Sequence, residues 1–288
     1  MKSIVSPQNP TSMIVLPPAG AEVPPAFKRV HKDKNLRYSL LASIQRFRGR
    51  VYLSDGAIQP HELTETGRHY QEADEKSWHV MTLDRNGGVC ACLRFLESAP
   101  AQFEKLCLRH AALNWSDWGG ALRKAVRLEI KRAGRERMRF GEVGGWAVAP
   151  ERRAGIEPLR TILATYGLLQ ILGGCAGVAT ATYRHNSAGI LRRIGLSPLA
   201  VNGTELPGYY DPQYRCEMEV LCFDSRLPNP RFRPWIEELG SYLADSPVFS
   251  DCAPSREDSE PESAGAPWRN APGPLPMTAA PWAEGVAQ

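Results

Sequence analysis

The block from residue 141 to residue 195 constrains the fold more than any other part of the chain. A strand-like run, GEVGGWAVAP, leads into a tight turn, ERRAGI. An apolar helical pattern follows over 156–172 and stops at Gly173-Gly174, a helix-ending pair. Next come an apolar strand run, GVATAT, and then HNSAGILRRIG, which reads as an Asn-started helix stopped by Gly195. Strand, turn, helix, strand is a crossover unit, so its two strands are expected side by side in one sheet. The turn carries Arg152, Arg153 and Gly155. Its backbone N–H groups and the positive end of the next helix suit phosphate oxygens. Gly155 is read as the position where positive φ lets the backbone approach a ligand.

Elements of both kinds flank this block. Helical spacing covers 38–48, 101–113 and 119–136, and 50–54 reads as a short strand. Residues 78–83 and 89–96 read as a hairpin closed by Asp84-Arg85-Asn86-Gly87-Gly88, with Asn-Gly as the turn signal. Residues 142–148, 178–182 and 216–223 complete the strands. A hairpin followed by crossovers predicts an α/β domain over 36–252, its mixed sheet covered by helices on both faces. Residues 1–35 are Pro-rich with little periodicity and are expected to be irregular. Residues 253–288, rich in Pro, Ala and Ser, are expected to form a disordered tail, because they hold too little apolar surface to offset chain entropy.

Composition narrows the class. A formal net charge of +4 is too small to name a partner, and 43% hydrophobic residues suffice for a core. No apolar run reaches the ~18 residues of a membrane span. Seven cysteines, with no Cys-x-x-Cys pair, argue against a disulfide framework or a zinc site and point to a reducing cytoplasm. No metal is implied.

The turn resembles that of the GNAT N-acyltransferase superfamily, Arg/Gln-x-x-Gly-x-Gly/Ala, with Glu157 where that family has a small residue. Further upstream the chain is similar to one branch, the acyl-homoserine-lactone synthases and long-chain N-acyl amino acid synthases. The residues that carry this are Asp74-Glu75-Lys76-Ser77-Trp78-His79-Val80, then Asp84, Gly88 and Arg94, and Glu142-Val143-Gly144-Gly145-Trp146-Ala147-Val148 against the branch's Glu-x-Ser-Arg-Phe-Ala-Val. Gln71 and Gly145 depart from the lactone synthases, which have an acidic residue and an arginine there. Both departures favour another acceptor or another donor.

The resemblance implies a GNAT fold with a mostly antiparallel sheet, splayed between two strands to admit an acyl thioester. It also implies transfer of a long-chain acyl group from an acyl carrier protein or coenzyme A to the amine of an amino acid or similar small acceptor. The thioester would be a co-substrate, with no permanently bound cofactor. Glu142 is the candidate base, since burial in a strand raises a carboxyl pKa to a useful value; the alternative is a Glu at a solvent-facing sheet edge. A bulge at Gly144-Gly145 would open the strand and turn the amides of Trp146 or Val148 into an oxyanion hole. Asp74 and Arg94 are assigned to the acceptor's ammonium and carboxylate, or form an ordinary ion pair. Arg152, Arg153, Gly155 and Ile156 are assigned to the donor's phosphate. Asn186 either touches the pantetheine arm or caps the next helix. His79 is read as a core histidine before a proton relay.

Arg123, Arg127, Lys131 and Arg135 recur every four residues on one helix face. Such a stripe is either merely solvated or a docking surface for an acidic acyl carrier protein. No nucleic-acid motif accompanies it. Two other functions stay open: an acetyl-coenzyme A-dependent N-acetyltransferase, and a non-catalytic GNAT-like binding module, the latter because Glu157 and the Leu191 that stands where many acetyltransferases carry a tyrosine acid both weaken the catalytic case.

Overall fold

Asp33 starts the first long helix by accepting a hydrogen bond from the Leu36 amide on its Oδ1 at 2.9 Å. That helix, α1, spans Lys34–Ser54. The computed structural model describes residues 4–5, 11–115 and 117–252, so the tail expected over 253–288 lies outside the described residues.

Two strands precede α1: β1 (Ser12–Leu16) and β2 (Arg29–Lys32). The hairpin follows as β3 (Ser77–Leu83) and β4 (Val89–Glu97). Helices α2 (Arg109–Asn114) and α3 (Gly119–Arg135) lead to the crossover unit of β5 (Arg139–Val148), α4 (Glu157–Ile171) and β6 (Cys175–Thr182). After α5 (Ser187–Ile194) come four short strands, β7 (Ser197–Pro198), β8 (Ala200–Val201), β9 (Thr204–Glu205) and β10 (Tyr209–Asp211). The described chain ends with β11 (Cys216–Asp224), α6 (Arg233–Ala244) and β12 (Pro247–Ser250).

The main sheet runs β10-β11-β6-β5-β4-β3-β1-β12-β2, with β7 also paired to β11. Pairing is parallel for β5–β6, β1–β12 and β12–β2, and antiparallel elsewhere. β4 is central and buried on both faces. Its Leu93 and Phe95 pack with Val143 against α4 and α6 on one face. Cys92 packs with α1 on the other, where α3 also covers Phe140 and Val178. Alternation thus puts Arg94 and Glu142 on the α1–α3 face, which is where the chemistry lies.

Several expectations are corrected. Residues 1–35 are not irregular throughout, since β1 sits between β3 and β12 inside the sheet. Met13, Val15 and Leu16 are each 0% exposed; the prolines that follow end the strand and do not abolish it. Residues 50–54 are the last turn of α1, because Val51 buries with Ile44 and Phe47 on one helix stripe. The helix expected over 101–113 breaks into a 3-10 turn at Phe103–Lys105 and α2. Among the described residues no helix is long and apolar enough to cross a membrane.

Candidate active site

β5 and β6 pair from Arg139 opposite Cys175 to Val143 opposite Ala179, and there their pairing stops. β6 continues to Thr182 bonded to β11, and β5 continues to Val148 bonded to β4, so the two strands part. A β-bulge accompanies the split. Arg94 faces Gly144 but Cys92 faces Ala147, leaving Gly145 and Trp146 to share one position of β4. Gly145 sits at φ +60°, a left-handed conformation that suits glycine. The Ala149 amide donates to the Cys90 carbonyl at 2.9 Å. Alternation then turns the Val148 amide to the opposite edge, where β6 has left, while Trp146 lies within the bulge.

Two cavities meet at this opening. One, of about 180 Å³, has apolar walls from Val143, Trp146, Ile162, Ile190 and Leu191. The other, of about 530 Å³, is lined by Arg94, Cys107, Arg109, Glu142 and Tyr209 among others. Gly144, Gly145, Thr180, Tyr214 and Met218 line both, so the two cavities adjoin at the strand gap.

Glu142 is 5% exposed and points into the polar cavity. Its Oε2 accepts a hydrogen bond from the Leu108 amide at 3.1 Å. Burial pushes its pKa up, against the opposing pull of that hydrogen bond and of Arg94. A buried carboxyl with a raised pKa at the edge of a strand gap can take a proton from an incoming amine.

Arg94 lines the same cavity on a buried ionic base. Its Nη1 donates to Asp74 Oδ1 at 2.7 Å and to Gln71 Oε1 at 2.6 Å, and Nη2 donates to the Cys107 thiol at 3.3 Å. Asp74 also takes a two-point pair from Arg48, at 3.0 and 2.6 Å, and a bond from Gln45 at 2.9 Å. Burial opposes ionisation of Asp74, yet Arg48 and Arg94 outweigh it and hold the carboxyl well below its usual range. Asp74 is 0% exposed and does not line the cavity. Its assignment to the acceptor's ammonium is therefore corrected: with its oxygens consumed by two arginines, it positions Arg94. His79 is buried and donates through Nε2 to the Asp74 carbonyl at 2.8 Å; burial lowers its pKa to about 4, so it is a neutral core residue.

On the donor side the phosphate turn differs from expectation. Trp146, Val148 and Arg153 line the apolar cavity; Arg152, Gly155, Ile156 and Asn186 line neither. Arg153 donates to both oxygens of Asp55 at 2.8 Å and to the Val148 carbonyl at 3.0 Å. Gly155 lies outside the positive-φ residues, and a Cβ there would make only ordinary contact with the Arg152 carbonyl at 3.4 Å. The special backbone shape expected of it is not used. Glu157 turns inward, 3% exposed, and pairs with Arg160 at 3.3 Å. Asn186 is left-handed, at φ 59°, and makes no cap hydrogen bond; His185 and Ser187 line the cavity beside it.

No protein-family model and no curated protein matches the sequence. Solved structures do. BjaI, a CoA-dependent acyl-homoserine lactone synthase, aligns in its structure with MTA over 85% of this chain and 95% of its own, at 14% identity and a TM-score of 0.50. Its structure with SAM and isopentyl-CoA aligns over the same shares at 15% identity and a TM-score of 0.48. FeeM, an N-acyl amino acid synthase from uncultured soil microbes, aligns over 67% of this chain and 87% of its own, at 10% identity and a TM-score of 0.42.

The fold is the GNAT fold. Within it, residues that sequence reasoning missed complete the site. Arg48 and Tyr52 come from α1, Asp55 from its C-terminal cap, and Arg184 and His185 from the β6–α5 connection. A charged Arg48 on the apolar stripe of a helix was the one signal available; Asp55 carries none. Tyr209 and Tyr214 line the polar cavity, whereas Tyr210 is 58% exposed. Arg123, Arg127, Lys131 and Arg135 line neither cavity; Arg127 pairs with the exposed Glu104 at 2.8 Å, and Arg123 lies over the Phe103 ring.

Proposed function

We propose that this chain is an N-acyltransferase that joins a fatty-acyl thioester, from coenzyme A or an acyl carrier protein, to the amine of an amino acid or similar small acceptor. The observation that carries this reading is the strand gap at which an apolar cavity adjoins the polar cavity that Glu142 lines. The acyl thioester enters the apolar side and brings its carbonyl to the strand gap. The acceptor enters the polar side, its carboxylate toward Arg94 and its amine toward Glu142. Attack of the amine nitrogen on the carbonyl carbon forms the C–N bond and breaks the C–S bond. Glu142 takes the proton released from nitrogen, directly or through water, and that proton leaves with the thiolate as free thiol. The Val148 amide at the gap, together with that of Trp146 from the bulge, would steady the oxyanion in between.

Gln71 favours an amino acid acceptor without a second cationic centre, because it offers Arg94 a neutral oxygen where the lactone synthases have an acidic residue. The test is product analysis by mass spectrometry. Lipids from cells expressing the chain are compared with those from cells expressing Glu142→Gln. N-acyl amino acids are expected with the wild-type chain, and a loss of about 10²–10⁴-fold in the variant. Acetyl-coenzyme A turnover with no lipid product would make it an acetyltransferase; neither activity would make it a binding module.

A further inference from the structure

Asp55 occupies the guanidinium that a donor phosphate would need. It caps α1, and both its oxygens accept from Arg153 at 2.8 Å, a two-point pair with side chains only 14% and 20% exposed. Arg153 spends its Nε on the Val148 carbonyl and also meets His185 Nε2 at 3.0 Å. His185 lies 3.4 Å from the same Asp55 oxygen, and Arg184 donates to the Asp55 backbone carbonyl. All four residues line the mouth of the apolar cavity. The turn beside them is similarly occupied: the Gly155 amide donates to the Arg152 carbonyl at 3.1 Å, and Glu157 adds a second carboxylate behind it, answered by Arg160.

Resting on the acyl-transfer reading above, we propose that Asp55 sets the donor. It cancels the Arg153 charge at the mouth, so that the site takes a thioester borne on a single phosphodiester, an acyl-phosphopantetheine arm on a carrier protein, over a coenzyme A thioester. A phosphodiester carries one negative charge and can pass the paired Asp55–Arg153. Coenzyme A brings a pyrophosphate and a further phosphate, and to pair with Arg153 it must displace Asp55 and then sit against a freed carboxylate. Two-point guanidinium contacts of this kind are the strong ones, and like charges side by side reject a ligand more effectively than a missing contact does.

The experiment compares wild-type chain, Asp55→Asn, and Asp55→Asn combined with Arg153→Gln. Coenzyme A alone is titrated by calorimetry. Thiol release is followed with decanoyl-coenzyme A and with decanoyl carrier protein, using a mixture of amino acids as acceptors. Wild type is expected to prefer the carrier donor in kcat/KM. Asp55→Asn is expected to tighten coenzyme A binding by about tenfold and to shift the donor ratio toward decanoyl-coenzyme A, while the double variant loses that gain. A merely structural Asp55 would weaken both donors together, which overturns the proposal, as does a wild type that uses both donors equally. Tighter coenzyme A binding in Asp55→Asn with no transfer from either donor would leave the assignment of Asp55 standing and sink the acyl-transfer reading instead.

Discussion

Two carboxylates on one face of the sheet have been driven in opposite directions by their neighbours. Glu142 is pushed up by burial, and Asp74 is held down by two guanidiniums. Only the first suits proton transfer. In its proposed role as base Glu142 must be ionised, so kcat/KM is expected to fall as pH drops through its raised pKa, and Glu142→Gln should erase that limb of the profile. The stability sign is opposite. A carboxyl whose folded pKa is raised favours the folded state at low pH and loses that contribution as pH rises through the folded value. Glu142→Gln should therefore melt no lower than wild type at mildly alkaline pH. Asp74→Asn should behave differently, because it strands Arg48 and Arg94 in the interior. Urea unfolding is expected to show a loss of about 3–5 kcal/mol near neutrality. Since the Asp74 pKa is depressed, that difference should persist through mild acid and fade only as pH falls toward the folded value. At this scale the sequence was legible where a residue's neighbours in sequence also decide its environment. Glu142 and the Gly144-Gly145 bulge could be read from one strand. Asp74 could not, since its role depends on Arg48 from α1 and Arg94 from β4 arriving in the same place.

Among the elements, the crossover from β5 through α4 to β6 was read with its stop and its split, although its turn lacks the backbone shape expected at Gly155. Apolar periodicity and Gly punctuation carry that information locally. What stayed hidden were α6 and β12, together with the place of β1 and β2; β12 meets partners more than two hundred residues away, as Val15 and Val30 beside Val248 show. α6 is held by a close helix crossing. A Cβ added at Gly167 of α4 would come within 2.8 Å of the Gly240 backbone. Gly167→Val is therefore expected to overpack this contact and lower stability by about 1–3 kcal/mol in thermal or urea unfolding. Because α4 also bears Ile162 on the apolar cavity, a shift of that helix should lower turnover as well.

At the scale of the whole molecule, two cavities adjoin at one gap in the sheet, and the basic stripe of α3 belongs to neither. The stripe on α3 is exposed at Arg127, Lys131 and Arg135 and stands away from both. If it docks an acidic carrier, Arg127→Glu with Lys131→Glu should slow transfer from a carrier donor by about tenfold at low salt, with little change for an acyl-coenzyme A donor. Stopped-flow or steady-state rates across a salt series check this; equal slowing of both donors counts against docking.

The parallel insertion of β12 between β1 and β2 has a temporal consequence. During synthesis, β1 emerges more than two hundred residues before its neighbour on that side, which is translated only when the ribosome has passed Ser250. Until then one flank of the nascent sheet stays open, exposing a hydrogen-bonding edge to any other strand nearby. A stalled or prematurely terminated chain should hence be sticky, and chaperones that shield extended segments would find their substrate in that interval.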